Sequence, residues 1–181
     1  RLFSQDLSQG VGPKVACRLR RLDPEAQITV IDRDNLISYG GCGIPYYVSG
    51  DVSDESELRA TSFHVVRDAA FFEHSKGVRV RTRTRALAID RKAKTVRVEN
   101  LDSGAQEDLP YDQLMLATGA RPFDLPIAGA DLDGVFTISD LHKAIEIKKR
   151  IAQGKVSRAV VIGGGAIGIE MAEAFTDLWG V

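Results

Sequence analysis

The sequence predicts an α/β fold with a small antiparallel β layer in the middle of the chain. In "GPKVACRLRRLDPEA" apolar residues recur at helical spacing, and the β-branched run "QITVIDRD" follows as a short buried strand from Gln27 to Asp32. Further along, "SRAVVIGGGAIGIEMAEAF" has the pattern of a strand, a glycine turn and a helix. Both segments are parts of βαβ units, so a parallel sheet is expected.

The remaining elements lie between these two segments. "SFHVVRDAAFFEHSKG" predicts a helix closed by Gly77, and "SDLHKAIEIKKRIAQG" predicts an amphipathic helix capped by its serine. The runs "VRVRTRTRALAID" and "KTVRVEN", with a turn at "DSGAQ", predict the antiparallel layer. Alternation places the arginines of this layer on one solvated face, which argues against a nucleic-acid patch. "YDQLMLATGARP" predicts a strand that enters a glycine turn.

Composition argues against several classes of protein. With 44% hydrophobic residues among 181, the chain is long enough to bury a core, so we expect a globular protein. Its 24 basic and 25 acidic residues nearly cancel, which gives no reason to expect a nucleic-acid or membrane partner. Two cysteines are too few for a disulfide framework, and no apolar run has the length of a transmembrane helix. We therefore expect a cytoplasmic protein.

The strongest local motif is "VVIGGGAIGIE", in which Gly163, Gly165 and Gly168 fit G-x-G-x-x-G between an apolar run and a helix. The first glycine permits the tight turn, the second lets a pyrophosphate approach the backbone, and the third lets helix and strand pack closely. The N–H groups at the start of the helix suit a phosphate. The motif predicts a dinucleotide site. The residue that separates NAD from NADP is expected beyond Val181, so both stay open.

A second dinucleotide site is predicted, less completely, before the first helix. If Gly12 is the third glycine of such a fingerprint, the first two positions fall on Leu7 and Gln9, which are not glycines. Asp32 ends the next strand 20 residues after Gly12, the usual distance for a carboxylate that accepts hydrogen bonds from a ribose. Taken alone, such an aspartate is more often a turn residue at a strand end.

Cys42 lies among glycines in "SYGGCGIPYY", shortly after the first predicted strand. A stretch so rich in backbone-permissive residues is unlike an ordinary core strand. A helix that starts after Gly43 would favour negative charge on the sulfur. We therefore interpret Cys42 as a reactive thiol, and we interpret Cys17, among the apolar residues of the first helix, as a packing residue.

Three motifs in this order, "SYGGCGIPYYVSGDV", "YDQLMLATGARP" and "VVIGGGAIGIE", resemble the pyridine nucleotide-disulfide oxidoreductases. The resemblance covers Gly12 to Trp179 and is to the single-cysteine branch, which contains coenzyme A-disulfide reductases, NADH oxidases, NADH peroxidases and persulfide reductases. It implies a three-layer, Rossmann-like FAD/NAD(P)-binding fold with FAD and NAD(P)H as cofactors. Because family members are longer, it also implies a truncated chain. The expected parts are an incomplete FAD-binding domain at 1–135 and the start of an NAD(P)-binding domain at 136–181, with a homodimer in the full-length form.

For Cys42 the resemblance implies a catalytic, redox-active residue beside the flavin. Classical members carry a C-x4-C pair, but the position five residues after Cys42 is Tyr47, so the second sulfur must come from elsewhere. The implied function is NAD(P)H-dependent reduction of a coenzyme A disulfide or persulfide. One alternative is an NADH oxidase or peroxidase that uses a cysteine sulfenic acid; a peroxidase would place a histidine nearby, whereas His64, His74 and His142 are expected on the surface. The other alternative is an inactive fragment that does not retain cofactor.

The first helix suggests how the substrate is bound. Lys14, Arg18 and Arg21, spaced i, i+4 and i+7, put three cations on one side of this helix, which suits either a phosphate-rich ligand or solvent alone. The resemblance implies that this helix binds the phosphates of coenzyme A and that Ser38 lies near the substrate sulfur. The sequence has Gly41 where the family often has asparagine, which weakens the match on the sulfur side.

The resemblance also implies cofactor contacts elsewhere, at Asp32, Arg33, Ala117, Thr118, Gly119 and Glu170. The segment from Ala117 to Gly119, with Ala117 as its strand end, resembles the one that passes beside the flavin and links the two nucleotide-binding domains. The alternative is an ordinary connection from a strand to a turn. Glu170 matches a glutamate near the nicotinamide and the flavin. An equal alternative is that Glu170 is a first-turn acid that stabilises the helix dipole. No metal site is expected.

Overall fold

The computed structural model describes residues 11–123, 125–177 and 179–181. Within these residues the helices are α1 (Val11–Leu22), α2 (Ile44–Ser49), α3 (Ala69–Lys76), α4 (Leu141–Ala152) and α5 (Ala166–Asp177). The strands are β1 (Thr29–Ile31), β2 (Arg79–Arg81), β3 (Thr84–Asp90), β4 (Thr95–Asn100) and β5 (Gln106–Pro110). Two short 3₁₀ turns span Gly41–Gly43 and Glu55–Arg59.

The chain separates into two compact units. The first unit comprises the described part of Arg1–Tyr39 together with Arg59–Gly119, and the second unit comprises Gly40–Leu58 together with Ala120–Val181. The predicted domains, 1–135 and 136–181, divide the chain differently, and that boundary stays a prediction.

A parallel pair of strands forms the centre of the first unit. β1 pairs with β2 in parallel, in the register Thr29 with Arg79. The apolar face of α1 and one face of α3 pack on this pair in a cluster that contains Ala16, Ile28 and Phe72. The α1 helix and the strand after it were both predicted. The strand is shorter than the predicted Gln27–Asp32 because only three of its residues pair with β2.

The predicted antiparallel layer is present in the first unit as the sheet β3-β4-β5. Val96 and Val98 of β4 are buried against Ile31 of β1, which packs the layer onto the end of the parallel pair. The other face carries cross-strand ion pairs. The arginines of the predicted solvated face lie in them: the Arg85 guanidinium is 2.6 Å from the Glu99 carboxylate, and Arg97 and Asp108 are 3.0 Å apart.

The helix ends follow the capping rules with one correction. The Asp68 carboxylate accepts the backbone N–H of Phe71 at the start of α3, and Gly77 closes that helix with φ 61°, as predicted. At α4 the cap was predicted to be a serine, but the structure shows Asp140, which accepts the backbone N–H of Lys143. The Ser139 hydroxyl donates to that carboxylate instead. A carboxylate accepts such hydrogen bonds more strongly than a hydroxyl, so it takes the cap position.

Two predicted strands are not formed in the described residues. Residues 111–117 of "YDQLMLATGARP" and residues 159–162 of "SRAVVIGG" belong to neither of the two sheets that the described residues form. In the second run Val160 is 80% exposed and Ile162 is 70% exposed, whereas Leu114 and Met115 of the first run pack against buried clusters of the first unit. The two strand predictions are therefore wrong for the described residues, because an apolar run forms a strand only beside another strand.

The second unit is built around the short helix α2, which packs against both α4 and α5. Its buried residues include Ile44, Tyr47 and Val48. The α4 helix contributes Leu141, Ala144, Ile147 and Ile151 from its apolar stripe. Among the helices of the described ranges, none combines the length and the apolar character needed to cross a bilayer.

Candidate functional site

Cys42 lies in the tight turn Gly41–Gly43, directly before the first residue of α2. The turn is closed by a hydrogen bond of 2.9 Å from the Gly43 N–H to the Gly40 carbonyl. The α2 residues that follow are almost all buried, whereas the Cys42 side chain is exposed. The arrangement presents a thiol on a fixed turn where another molecule can reach it.

The two glycines beside Cys42 differ in what surrounds them. A Cβ atom on Gly43 would lie 2.5 Å from Cδ2 of Leu58, so the absence of a side chain at Gly43 makes room for the protein's own packing. A Cβ atom on Gly41 would meet nothing within 4 Å. The space beside Gly41 is therefore open to another molecule, which suits the close approach expected from the sequence.

Lys148 of α4 contacts both α2 and the segment that follows it. Its ammonium group donates to the carbonyls of Val52 and Ser53 at 2.8 and 3.0 Å. It also lies 4.0 Å from the ring centre of Tyr47, within the range of a cation–π interaction. Burial lowers the pKa of Lys148, and the nearby Asp54 and Glu57 carboxylates oppose that shift.

A second contact to α2 comes from Trp179, which follows α5. Its indole N–H donates to the Val48 carbonyl at 2.7 Å. Burial raises the pKa of Tyr47, the neighbour of Val48, and the Glu55 and Asp54 carboxylates raise it further. Sequence reasoning missed both Lys148 and Trp179. Lys148 stands in a basic run with nothing to mark it, and the one weak signal for Trp179 is that it is the only tryptophan in the sequence.

The glycine turn before α5 has the geometry that its motif predicts. Gly163 has φ 115°, a conformation open to glycine and rarely adopted by other residues. A Cβ atom on Gly168 would lie 2.0 Å from the Gly163 carbonyl oxygen, so the helix and the turn pack at a distance that only glycine permits. Gly165 is exposed and a Cβ atom there would meet nothing within 4 Å. The residues therefore fit a pyrophosphate at this turn.

Glu170 lies on the exposed side of α5. The helix begins at Ala166, which makes Glu170 its fifth residue, and the first turn contains no acidic residue. The alternative that Glu170 is a first-turn acid is therefore wrong. The helix begins two residues before Gly168, so Glu170 lies beyond its first turn. Its proposed nearness to the nicotinamide stays a prediction.

Two of the predicted nucleotide residues of the first unit, Asp32 and Arg33, directly follow the carboxyl end of β1. Asp32 is buried, at 1% exposure, and its carboxylate accepts the Asp34 N–H at 2.8 Å. Arg33 is exposed and Gly12 is buried in the first turn of α1. A carboxylate at the end of a parallel strand fits the hydroxyl donors of a ribose. The fingerprint positions Leu7 and Gln9 lie outside the described residues.

Ser38 has a strained backbone. Its φ of 59° lies in the left-handed region, which residues other than glycine rarely adopt, and the side chain is buried at 7% exposure. Such strain persists where the surroundings fix the backbone, and it is concentrated at functional sites. The position is consistent with a role for Ser38, but its proposed contact with a substrate sulfur stays a prediction.

The predicted basic face of α1 is present. Lys14, Arg18 and Arg21 are all exposed, and within the described ranges none of them forms an ion pair. Arg20 of the same helix is used differently, because its guanidinium donates to the Gly77 carbonyl at 2.6 Å. Three cations on α1 are therefore available to a ligand, and the fourth is engaged in the fold.

The segment from Ala117 to Gly119 is not part of a strand. Ala117 is half-buried and Thr118 is exposed, and Gly119 has φ 67°, which supports the predicted glycine turn. Contact of this segment with a flavin stays a prediction.

The remaining predicted residues fall outside any site. Cys17 packs against the core cluster of the first unit, and burial raises the pKa of its thiol. His64, His74 and His142 are exposed, as expected. His64 lies in a turn before α3 rather than on that helix, which corrects its expected placement. In the part of the chain that the structure describes, no three His, Cys, Asp or Glu side chains are grouped to hold a metal ion.

A family match and a solved structure agree on the class of protein that this chain is similar to. The pyridine nucleotide-disulphide oxidoreductase family matches residues 11–181. The structure is similar to that of an NAD-dependent persulfide reductase from A. fulgidus, with 41% sequence identity and a TM-score of 0.92, over 98% of this chain and 32% of that one.

Two curated relatives are similar at the level of sequence. An NADH oxidase of Methanocaldococcus jannaschii is 32% identical over 91% of this chain and 35% of its own length. A coenzyme A disulfide reductase of Staphylococcus haemolyticus is 30% identical over 90% of this chain and 35% of its own length. The chain thus spans about a third of the length of these relatives.

The glycine turn generates a prediction with an internal control. In the intact protein, Gly168→Ala should lower the free energy of unfolding by about 1–3 kcal/mol, because its methyl group overlaps the Gly163 carbonyl. Gly165→Ala should leave stability nearly unchanged and weaken NADH binding roughly tenfold or more, because the methyl occupies the space that a pyrophosphate would approach. Urea denaturation and calorimetric titration with NADH measure the two effects.

The matched control is Gly164→Ala, at the variable position of the motif, where a Cβ atom also meets nothing within 4 Å. It should change neither stability nor NADH affinity. If Gly165→Ala and Gly164→Ala bind NADH equally well, the turn does not hold the nucleotide in the way we infer.

Proposed function

The chain belongs to the pyridine nucleotide-disulphide oxidoreductase family, and from this membership we propose that the intact protein uses NAD(P)H to reduce a coenzyme A disulfide or persulfide through Cys42. The family match confirms the predicted class of flavin-dependent oxidoreductase and the Rossmann-type α/β fold. The observation that carries the finer proposal is the exposed Cys42 on its glycine turn, followed by a tyrosine where a second cysteine would complete an internal pair.

The cofactors FAD and NAD(P)H are confirmed at the level of the family. In this chain we assign the pyrophosphate of NAD(P)H to the turn that contains Gly163, Gly165 and Gly168. We assign the FAD ribose to Asp32. The open space beside the glycine turn supports the assignment of the pyrophosphate. The carboxylate at the end of β1 supports the assignment of the ribose.

FAD, when bound, would accept two electrons from NAD(P)H and deliver them to sulfur. Cys42 would enter as a mixed disulfide with coenzyme A, and cleavage of that S–S bond with two electrons would leave two thiolates, one on Cys42 and one on coenzyme A. The Cys42 thiolate would then attack a coenzyme A disulfide, form a new S–S bond and release the second coenzyme A thiolate. The sum is one disulfide, one NAD(P)H and one proton converted to two thiols and NAD(P)⁺.

Substrate recognition is proposed for the basic face of α1. Coenzyme A carries several phosphate groups, and Lys14, Arg18 and Arg21 are exposed and available to bind them. The similar proteins include a coenzyme A disulfide reductase and a persulfide reductase, which supports a sulfur-containing substrate of this type. The contact of Ser38 with the substrate sulfur and the homodimer are proposed on the resemblance alone.

A second candidate function is oxygen reduction by an NADH oxidase. The match to the NADH oxidase of M. jannaschii favours it. In this case Cys42 would cycle through a sulfenic acid instead of a mixed disulfide. Anaerobic turnover separates the two functions, because only the disulfide or persulfide reductase consumes NADH without oxygen when its sulfur substrate is present.

The role of Cys42 is tested by Cys42→Ser in the intact protein. Disulfide reduction should fall to background, because the hydroxyl cannot form a disulfide, while reduction of the flavin by NAD(P)H should proceed at the wild-type rate. Stopped-flow absorbance of the flavin measures the first half-reaction, and thiol release measures the second. Cys17→Ala is the control and should leave both unchanged, since Cys17 packs in the core of the first unit. Full turnover by Cys42→Ser would disprove the proposed role.

The role of the basic face is tested by replacing Lys14, Arg18 and Arg21 together with glutamine. The KM for a coenzyme A disulfide should rise, because phosphate contacts are lost, and the KM for a small uncharged disulfide should not change. A control with the same change of charge replaces the exposed Arg91, Lys92 and Lys94 in the turn between β3 and β4. Equal effects of the two triple variants would mean that α1 contributes only general positive charge.

A further inference from the structure

The position of Cys42 depends on a helix that cannot be stable by itself. α2 has six residues, fewer than two turns, and isolated helices of this length do not persist in water. The helix is therefore fixed by its surroundings, and a displacement at one end is carried to the other because the backbone between them is one hydrogen-bonded segment. Cys42 lies at its N-terminal end.

Two side chains of the second unit, Trp179 and Lys148, donate hydrogen bonds to the last turn of α2 and to the segment that follows it. The last carbonyls of a helix have no partner within the helix. One of them, on Val48, accepts the indole N–H of Trp179 at 2.7 Å. The two carbonyls of the segment that follows, on Val52 and Ser53, accept the ammonium N–H groups of Lys148.

The contacts of Lys148 and Trp179 depend on where these two residues lie in the fold. Lys148 is the half-buried lysine of α4, with its charge against the Tyr47 ring, whereas the next residue, Lys149, is exposed. Trp179 stands just beyond α5, the helix that begins at the glycine turn. The contacts join residues separated by 96 and 131 positions in the sequence, so they fix α2 by tertiary structure rather than by local propensity.

We propose that Lys148 and Trp179 are positioning residues for Cys42: by holding the last turn of α2 and the segment directly after it, they fix the turn Gly41–Gly43 at the other end of the helix. Neither side chain is required to touch substrate or cofactor. The claim that this positioning matters for catalysis rests on the proposed function of Cys42. The geometric effect on Cys42 can be measured without turnover.

The test uses Lys148→Met and Trp179→Phe in the intact protein, which remove the donors and keep apolar bulk. The rate of alkylation of Cys42 by iodoacetamide, followed by peptide mass, should rise about threefold or more in each variant, the equivalent of one modest net hydrogen bond. Release of the helix end lets the turn sample more open conformations. Amide hydrogen exchange of residues 44–49 should speed up in parallel.

Two controls separate positioning from general loss of stability. Lys149→Met, on the exposed neighbour, should leave the alkylation rate and the exchange of α2 at wild-type values. Lys148→Arg, which keeps a cation and several donors, should restore most of the wild-type rate. A change in the melting temperature alone, with native-state alkylation of Cys42 unchanged or slower in both Lys148→Met and Trp179→Phe, would overturn the proposal.

The two proposals fail in distinguishable ways. If Cys42→Ser retains turnover, the proposed function is wrong, and the alkylation data still decide whether Lys148 and Trp179 fix the turn. If Cys42→Ser is inactive and the alkylation rates do not respond, Cys42 is catalytic but is positioned by other contacts, such as the packing of Gly43 on Leu58.

Discussion

The burial of one short helix is the constraint on which the candidate site depends. α2 is too short to fold alone, so its place is set by α4 and α5 and by the packing of Leu58 under Gly43. Because α5 begins at the glycine turn, the cysteine and the predicted nucleotide site belong to one packed unit. The thiol is thus exposed to other molecules, while the helix that follows it is largely buried.

Glycine serves two different purposes in this unit. At Gly43 and Gly168 a side chain would collide with the protein itself, so these glycines allow elements to pack closely. At Gly41 and Gly165 a side chain would meet open space. The open space beside these two glycines leaves room for another molecule to approach the backbone.

Local patterns predicted most of the elements because periodicity, caps and turns are local properties. α1, α3 and the antiparallel layer followed from them, as did the turn at Gly163. The apolar runs at 111–117 and 159–162 were misread as formed strands because pairing depends on a neighbouring strand, which no local pattern supplies. Lys148 and Trp179 could not be predicted, because their partners are far along the chain and the lysine resembles its exposed neighbours.

The chemical state of Cys42 tests the central claim most directly. The intact protein, purified without reductant, is digested and its cysteine peptides are weighed before and after anaerobic addition of NADH. We expect Cys42 to carry a disulfide-linked coenzyme A or an added sulfur that disappears with NADH, while Cys17 remains an unmodified thiol throughout. A Cys42 that is a free thiol both before NADH and during turnover with a coenzyme A disulfide would contradict a redox role for this residue.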